Sequence, residues 1–166
     1  MPYTSLPMWL KTYPQTGARG LLKQSNDDFR VTELPLTLPS GEGEHVWLQV
    51  RKDGANTAYV AQCIANYAHV KILDVGYAGL KDRHSIAEQW FSVYLPKGET
   101  PEFLQLTHDE FTVLTQQRHV KKCRRGSLLG NQFKIVLRDV QGDKARIEAN
   151  LLQICLLYTS PSPRDS

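Results

Sequence analysis

Five short runs in this chain alternate apolar and polar side chains with a period of two, whereas only two stretches carry the period of a helix. The alternating runs are Phe29 to Glu33, His45 to Val50, Gln89 to Leu95, Phe111 to Thr115 and Gln132 to Arg138. In the third, Phe91, Val93 and Leu95 alternate with Trp90, Ser92 and Tyr94, so both of its faces are expected to be covered. One helix is predicted after Asn56 or Thr57, either of which can cap it, with Val60, Ala61, Ile64, Ala65 and Ala68 on one stripe. A second is predicted over Lys144 to Cys155 on the stripe Ile147, Leu151 and Ile154. Strands outnumber helices and do not alternate regularly with them. This favours an α+β fold, a mixed and largely antiparallel sheet with helices packed on it, over a doubly wound parallel sheet.

The chain has 166 residues, 41% hydrophobic and 22% charged, enough for one domain with a real core. No stretch approaches the roughly 18 consecutive apolar residues of a membrane span. The opening MPYTSLPMWLKTYP lacks an apolar secretion segment, so a cytoplasmic location without membrane contact is expected. Cys63, Cys123 and Cys155 are odd in number and widely spaced, and read as free thiols. The ending from residue 156 turns abruptly Pro- and Ser-rich; it reads as a disordered or non-native tail, and CLLYTSPSPRDS resembles translated adaptor sequence. The domain is therefore expected to span residues 1–155, with 156–166 outside it.

A net charge of +3 is too small to name a polyanionic partner by itself. Its distribution says more, because Arg118, Lys121, Lys122, Arg124 and Arg125 place five permanent cations in eight residues, with His119 among them. Such a cluster suits RNA phosphates, and equally suits a solvated edge that uses charge against aggregation. The other unusual window is Gly76-Tyr77-Ala78-Gly79-Leu80-Lys81-Asp82-Arg83-His84, one carboxylate among two cations and a histidine. The cations favour the Asp82 anion, and the glycines let a polynucleotide backbone approach; a nucleophile or base and a simple charged turn share this composition. No second ligand stands at zinc-like spacing from His84, which reads as a surface residue, and no metal is implied.

The Asp82 window followed by Gln89-Trp90-Phe91-Ser92 resembles the catalytic motif of the tRNA pseudouridine synthase D family. Four further segments resemble family motifs in the expected order: Gly20-Leu21-Leu22-Lys23 with Asp28-Phe29-Arg30-Val31, Gly41-Glu42-Gly43-Glu44-His45, Lys52-Asp53-Gly54-Ala55-Asn56-Thr57, and Gly130-Asn131-Gln132-Phe133. The likeness runs from about Gly17 to about Ile154. It implies a pseudouridine synthase catalytic-domain fold and a tRNA partner, with position thirteen of the D-arm as the family's usual target. It also implies Asp82 as the catalytic aspartate, Phe29, Asn131 and Phe133 lining the uridine pocket, and Lys23 nearby. Arg118, Lys121, Lys122, Arg124 and Arg125 become candidates for backbone contact. The reaction is redox-neutral and needs no cofactor, and no obligate protein partner is implied. Family members are considerably longer, with an inserted domain after the region matching Ile154 and a later segment that adds another aromatic to the pocket. The chain is therefore expected to be a truncated fragment with exposed sheet edges, an incomplete site and poor solubility.

The implied roles fit the chemistry. Making pseudouridine breaks the C1′–N1 bond, turns the uracil and joins C1′ to C5, so the enzyme must act on the sugar while retaining a detached base. Asp82 can add to C1′ as a nucleophile or remove the 2′ proton to give a glycal, and either route needs an anion. Phe133 can stack on uracil, Phe29 can form a second wall and Asn131 can hydrogen-bond the base edge or the ribose. Read without the family, all three fit core and turn positions. The competing readings are a module that binds RNA through its basic patch without turnover, and a hydrolase using Asp82 and His84. No Ser, Cys or metal constellation supports the hydrolase.

Overall fold

The computed structural model describes residues 17–158, which form two compact units. The larger spans Leu22–Leu137. In chain order the strands are β1 (Arg19–Leu22), β2 (Phe29–Pro35), β3 (His45–Asp53), β4 (Val75–Tyr77), β5 (Ile86–Tyr94), β6 (Phe111–His119), β7 (Leu128–Ile135) and β8 (Leu137–Gln141). The helices are α1 (Thr57–Tyr67) and α2 (Lys144–Tyr158). Strands outnumber helices and the class is α+β, as the periodicity predicts.

The larger unit is built on a six-stranded sheet in the order β6-β3-β5-β2-β7, with β4 paired to β5 off that path. Every pairing is antiparallel except β2 with β5, where Val31 stands beside Ala87. The expected apolar stripe of β3 is present: Val46, Leu48 and Val50 are buried with Phe91 and Val93 of β5 against Val60, Ala61 and Ile64 of α1. The Asn56 side chain caps α1 by accepting the Ala58 amide at 2.9 Å. The opposite side of the sheet carries a smaller cluster of Trp47, Ala78, Trp90 and Cys123, so both faces of β5 are covered. About 1.5–3 kcal/mol of transfer free energy per buried large apolar side chain makes these clusters the main favourable term of the unit.

Two elements exceed the pattern. β5 begins at Ile86, three residues before the alternation becomes clear, because Ile86 to Glu88 complete the parallel pairing with β2. The fifth alternating run, Gln132 to Arg138, divides at Val136 into β7 and β8 rather than continuing as one strand. In the smaller unit β1 and β8 pair, and the Asp143 carboxylate accepts the Ala145 amide at 2.9 Å to start α2. Of the predicted α2 stripe Ile147 is half-buried and Leu151 exposed. The tail beyond Tyr158 lies outside the described residues. Among the described residues no helix is long and apolar enough to cross a membrane.

Candidate active site

Asp82 sits on the loop between β4 and β5, and nearly every polar group around it is spent on fixing that loop. Gln89, fully buried on β5, donates to the Gly79 carbonyl and holds the Thr57 hydroxyl at 3.1 Å. Thr57 in turn accepts the Lys81 amide at 3.1 Å. The Lys81 ammonium pairs with Glu33 at 2.7 Å, both almost wholly buried, and the second Glu33 oxygen accepts the Trp90 amide. The Asp82 carbonyl accepts from Lys52 at 2.7 Å and from the Ser85 hydroxyl at 2.8 Å. A loop tied to four elements of the core presents its functional group with little freedom.

The Asp82 carboxylate itself faces out, 43% exposed. Lys23 donates to one of its oxygens and the His84 amide to the other at 2.9 Å. The Lys23 hydrogen bond first, and the His84 amide second, hold Asp82 below the usual carboxylate range. Lys23 has a left-handed backbone (φ 54°), an unusual state for a residue with a Cβ, and the turn after it is anchored by buried Asp28, which accepts the Gln24 and Ser25 amides at 3.2 Å. The Lys23 ammonium also lies 4.0 Å from the centre of the Phe29 ring. Phe29 meets Phe133 edge to face at 5.9 Å, and Phe133 is 55% exposed although strand-borne. An anion, its cationic partner and two aromatic faces are thus contiguous. Asn131 is exposed on β7 opposite Glu33, two residues from Phe133 and on the same side of its strand. A cavity of about 560 Å³ opens against Phe133, which lines it together with mainly charged and polar side chains such as Arg30, Thr32, Arg51 and Glu88; Asp82 and Lys23 do not line it.

A family model described as tRNA pseudouridine synthase D (TruD) matches residues 7–157. The chain belongs to the TruD family. It is 44% identical over 144 residues to the tRNA pseudouridine synthase D of Methylococcus capsulatus, an overlap of 87% of this chain and 41% of the relative. It is 50% identical over 125 residues to that of Xanthomonas campestris pv. campestris, an overlap of 75% of this chain and 34% of the relative. A crystal structure described as a tRNA pseudouridine synthase D from Methanosarcina mazei superposes with a TM-score of 0.68 at 25% identity, covering 81% of this chain and 30% of the other. The chain therefore spans about two-fifths or less of the length of these TruD relatives.

The basic segment of this TruD chain divides by burial. Arg118 spends its guanidinium internally, donating to the Leu95 carbonyl at 2.7 Å, to the Gly43 carbonyl and to the Thr100 hydroxyl. His119 is buried with its Nδ1 accepting the Ser40 amide at 3.2 Å, and Lys122 donates to the Leu73 carbonyl. Lys121, Arg124 and Arg125 are exposed. Their segment runs along β4, where the Gly126 amide donates to the Ala78 carbonyl at 2.9 Å, and so leads to the Asp82 loop. Gly76 is required at that crossing, because a Cβ there would lie 2.2 Å from the Cys123 carbonyl oxygen. His84 is exposed as expected, and among the described residues no cluster of ligating side chains could hold a metal.

Sequence reasoning passed over Glu33, Lys52 and Ser85. The signal for the first two was available: Glu33 extends the buried alternation of Phe29 and Val31, and Lys52 extends Val46, Leu48 and Val50. A charge in a core register needs a partner, and these partners meet at the Asp82 loop.

Proposed function

We propose that this chain carries part of the catalytic domain of a cytoplasmic tRNA pseudouridine synthase, an isomerase acting on uridine 13 of the D-arm. The observation that carries the reading is the exposed Asp82 carboxylate, kept anionic by Lys23 and the His84 amide, beside the Phe29 and Phe133 rings. Asp82 acts at the sugar, adding to C1′ or taking the 2′ proton, as the C1′–N1 bond breaks. The released uracil turns against the aromatic faces, C1′ joins C5 as the Asp82–C1′ bond breaks or the 2′ proton is given back, and the C5 proton is lost as N1 gains one. Asn131 hydrogen-bonds the base edge or ribose, and Lys23 holds the carboxylate until the nucleotide enters. Lys121, Arg124 and Arg125 meet phosphates at the rim of the site, whereas Arg118 and Lys122 are bound to internal acceptors and hold the segment in place. The target nucleotide leaves its stack at a cost of a few kcal/mol, offset by stacking and phosphate contacts.

The test is incubation of the chain with unmodified tRNA transcript, beside Asp82→Ala, with pseudouridine mapped by carbodiimide-induced reverse-transcription stops. A stop in the D-arm that disappears with Asp82→Ala is expected. A chain that binds tRNA but leaves no stop, or a stop equally strong in the variant, would overturn the reading and leave an RNA-binding module.

A further inference from the structure

Lys52 is wholly buried on the central strand β3, and its place in the core stripe would suit an apolar residue. Its strand partner on β5 is Ala87, whose methyl leaves space for a long side chain to run across the sheet. The ammonium at its end reaches two carbonyl oxygens, that of Ala55 at 2.9 Å and that of Asp82 at 2.7 Å. Among the described residues it makes no ion pair. An ammonium taken out of water for two neutral acceptors is an expensive way to hold a sheet together, since an apolar side chain of similar volume would do so without the desolvation penalty. What the ammonium adds is a link between two turns that are 27 residues apart along the chain, residue 55 against residue 82.

The same two turns are joined once more from outside, where the Arg83 Nε donates to the Gly54 carbonyl at 2.9 Å. The Asp82 main chain is also braced by Ser85, itself fully buried, whose hydroxyl donates to the carbonyl that Lys52 holds. Lys23 and the His84 amide act on the carboxylate; Lys52 and Ser85 act on the peptide that carries it. Resting on the synthase reading of the site, we propose that Lys52 is a positioning residue, a buried clamp that fixes the Asp82 carbonyl to the β3–α1 turn and so aims the carboxylate. It touches no substrate. Burial lowers the Lys52 ammonium to about 8, which leaves it charged at neutral pH and able to donate to both carbonyls.

The experiment compares the wild-type chain with Lys52→Met and Lys52→Gln. Three quantities are read: amide hydrogen exchange by NMR, the Asp82 carboxyl titration by 13C NMR, and single-turnover pseudouridylation with the affinity for tRNA. In variants that still melt cooperatively, exchange at the His84 amide should rise at least tenfold while the β3–β5 ladder keeps its protection. The Asp82 titration should move up towards the ordinary carboxylate range. The turnover rate should fall at least tenfold with the Kd for tRNA within twofold, a split that a general loss of folding would not give. Lys52→Gln, with one donor group left for two carbonyls, should fall between the wild type and Lys52→Met. Unchanged His84 exchange and Asp82 titration in a cooperatively folded variant would overturn the clamp. So would loss of ladder protection in both variants, which would make Lys52 a determinant of the fold. If the wild-type chain itself shows no turnover, the synthase reading fails separately, and exchange and titration alone decide for or against the clamp.

Discussion

Replacing Lys81 by Met removes the cation from a pair in which the Lys81 side chain is 7% and the Glu33 side chain 1% exposed, with 2.7 Å between them. Met matches the lysine stem in length, so the loss is almost purely electrostatic. Glu33 would keep the neutral Trp90 amide at 3.3 Å and, among the described residues, no ion pair. Removing one partner of a buried pair costs about 3–5 kcal/mol, out of a total stability of about 5–15 kcal/mol for a domain of this size. With a urea m-value of about 2 kcal/mol/M, the unfolding midpoint should fall by about 1.5–2.5 M. Glu33→Gln combined with Lys81→Met removes both charges while retaining an oxygen for the Trp90 amide, and should return to within about 1 kcal/mol of wild type. Urea melts followed by tryptophan fluorescence read all three chains. A Lys81→Met chain within about 1 kcal/mol of wild type, or a double variant no more stable than the single one, would refute the claim that burial makes this pair obligatory. Because Lys81 directly precedes Asp82, the double variant should recover stability more fully than turnover.

Three further outcomes follow from the geometry. On the proposed mechanism turnover requires the Asp82 anion, whose folded-state titration lies below the ordinary range; activity should therefore be lost as pH falls through that lowered value. Lys23→Met removes the largest cause, so the acid limb of kcat/KM against pH should shift upward, and an unmoved limb would count against Lys23 as the controlling group. Phe133→Ala should weaken binding of a single-stranded uridine-containing oligonucleotide by about 5- to 150-fold, the equivalent of about 1–3 kcal/mol of stacking, while the urea midpoint barely moves because the ring is 55% exposed. Arg118→Ala should lower stability by about 1–3 kcal/mol without changing the salt dependence of tRNA affinity, whereas Arg124→Ala and Arg125→Ala should each flatten the log Kd against log salt slope by up to about 0.9 and leave the melt unchanged.

Residues whose burial follows from local pattern were legible in the sequence. The stripes of β3 and α1, the double-sided covering of β5 and the Asn56 cap are all short-range consequences of periodicity and end chemistry. β4 escaped because three residues with a central glycine have no period to detect; the strand exists because β5 supplies partners at Phe91 to Val93 and Cys123 crosses close above Gly76. β1 escaped for the same reason, its partner β8 lying more than a hundred residues away in the chain. The motif likeness pointed to Asp82, Lys23, Phe29 and Phe133, which the fold makes contiguous, but it could not assign Arg118, because a charge count along the chain does not distinguish a guanidinium facing solvent from one filled by three internal acceptors.

The placement of charge separates what holds the sheet from what serves the site. Trp47, Leu48, Phe91 and Val93 would hold β3 against β5 without help, yet three charged side chains, Glu33, Lys52 and Lys81, are buried beside them. Their bonds converge on the seven residues from Gly79 to Ser85, where Lys81 is tied to Glu33 and the Asp82 carbonyl to Lys52. Apolar replacements of similar size are commonly neutral or stabilising for folding alone, so stability does not account for retaining ions in this place. Orientation does: a carboxylate that is 43% exposed on a loop has many rotamers and backbone states open to it, and the buried ions beneath restrict the backbone while Lys23 and the His84 amide restrict the side chain. An exposed carboxylate standing on a charged, buried foundation is the arrangement expected where geometry at a reacting atom is worth more than the stability those charges forgo, as the proposed role of Asp82 requires.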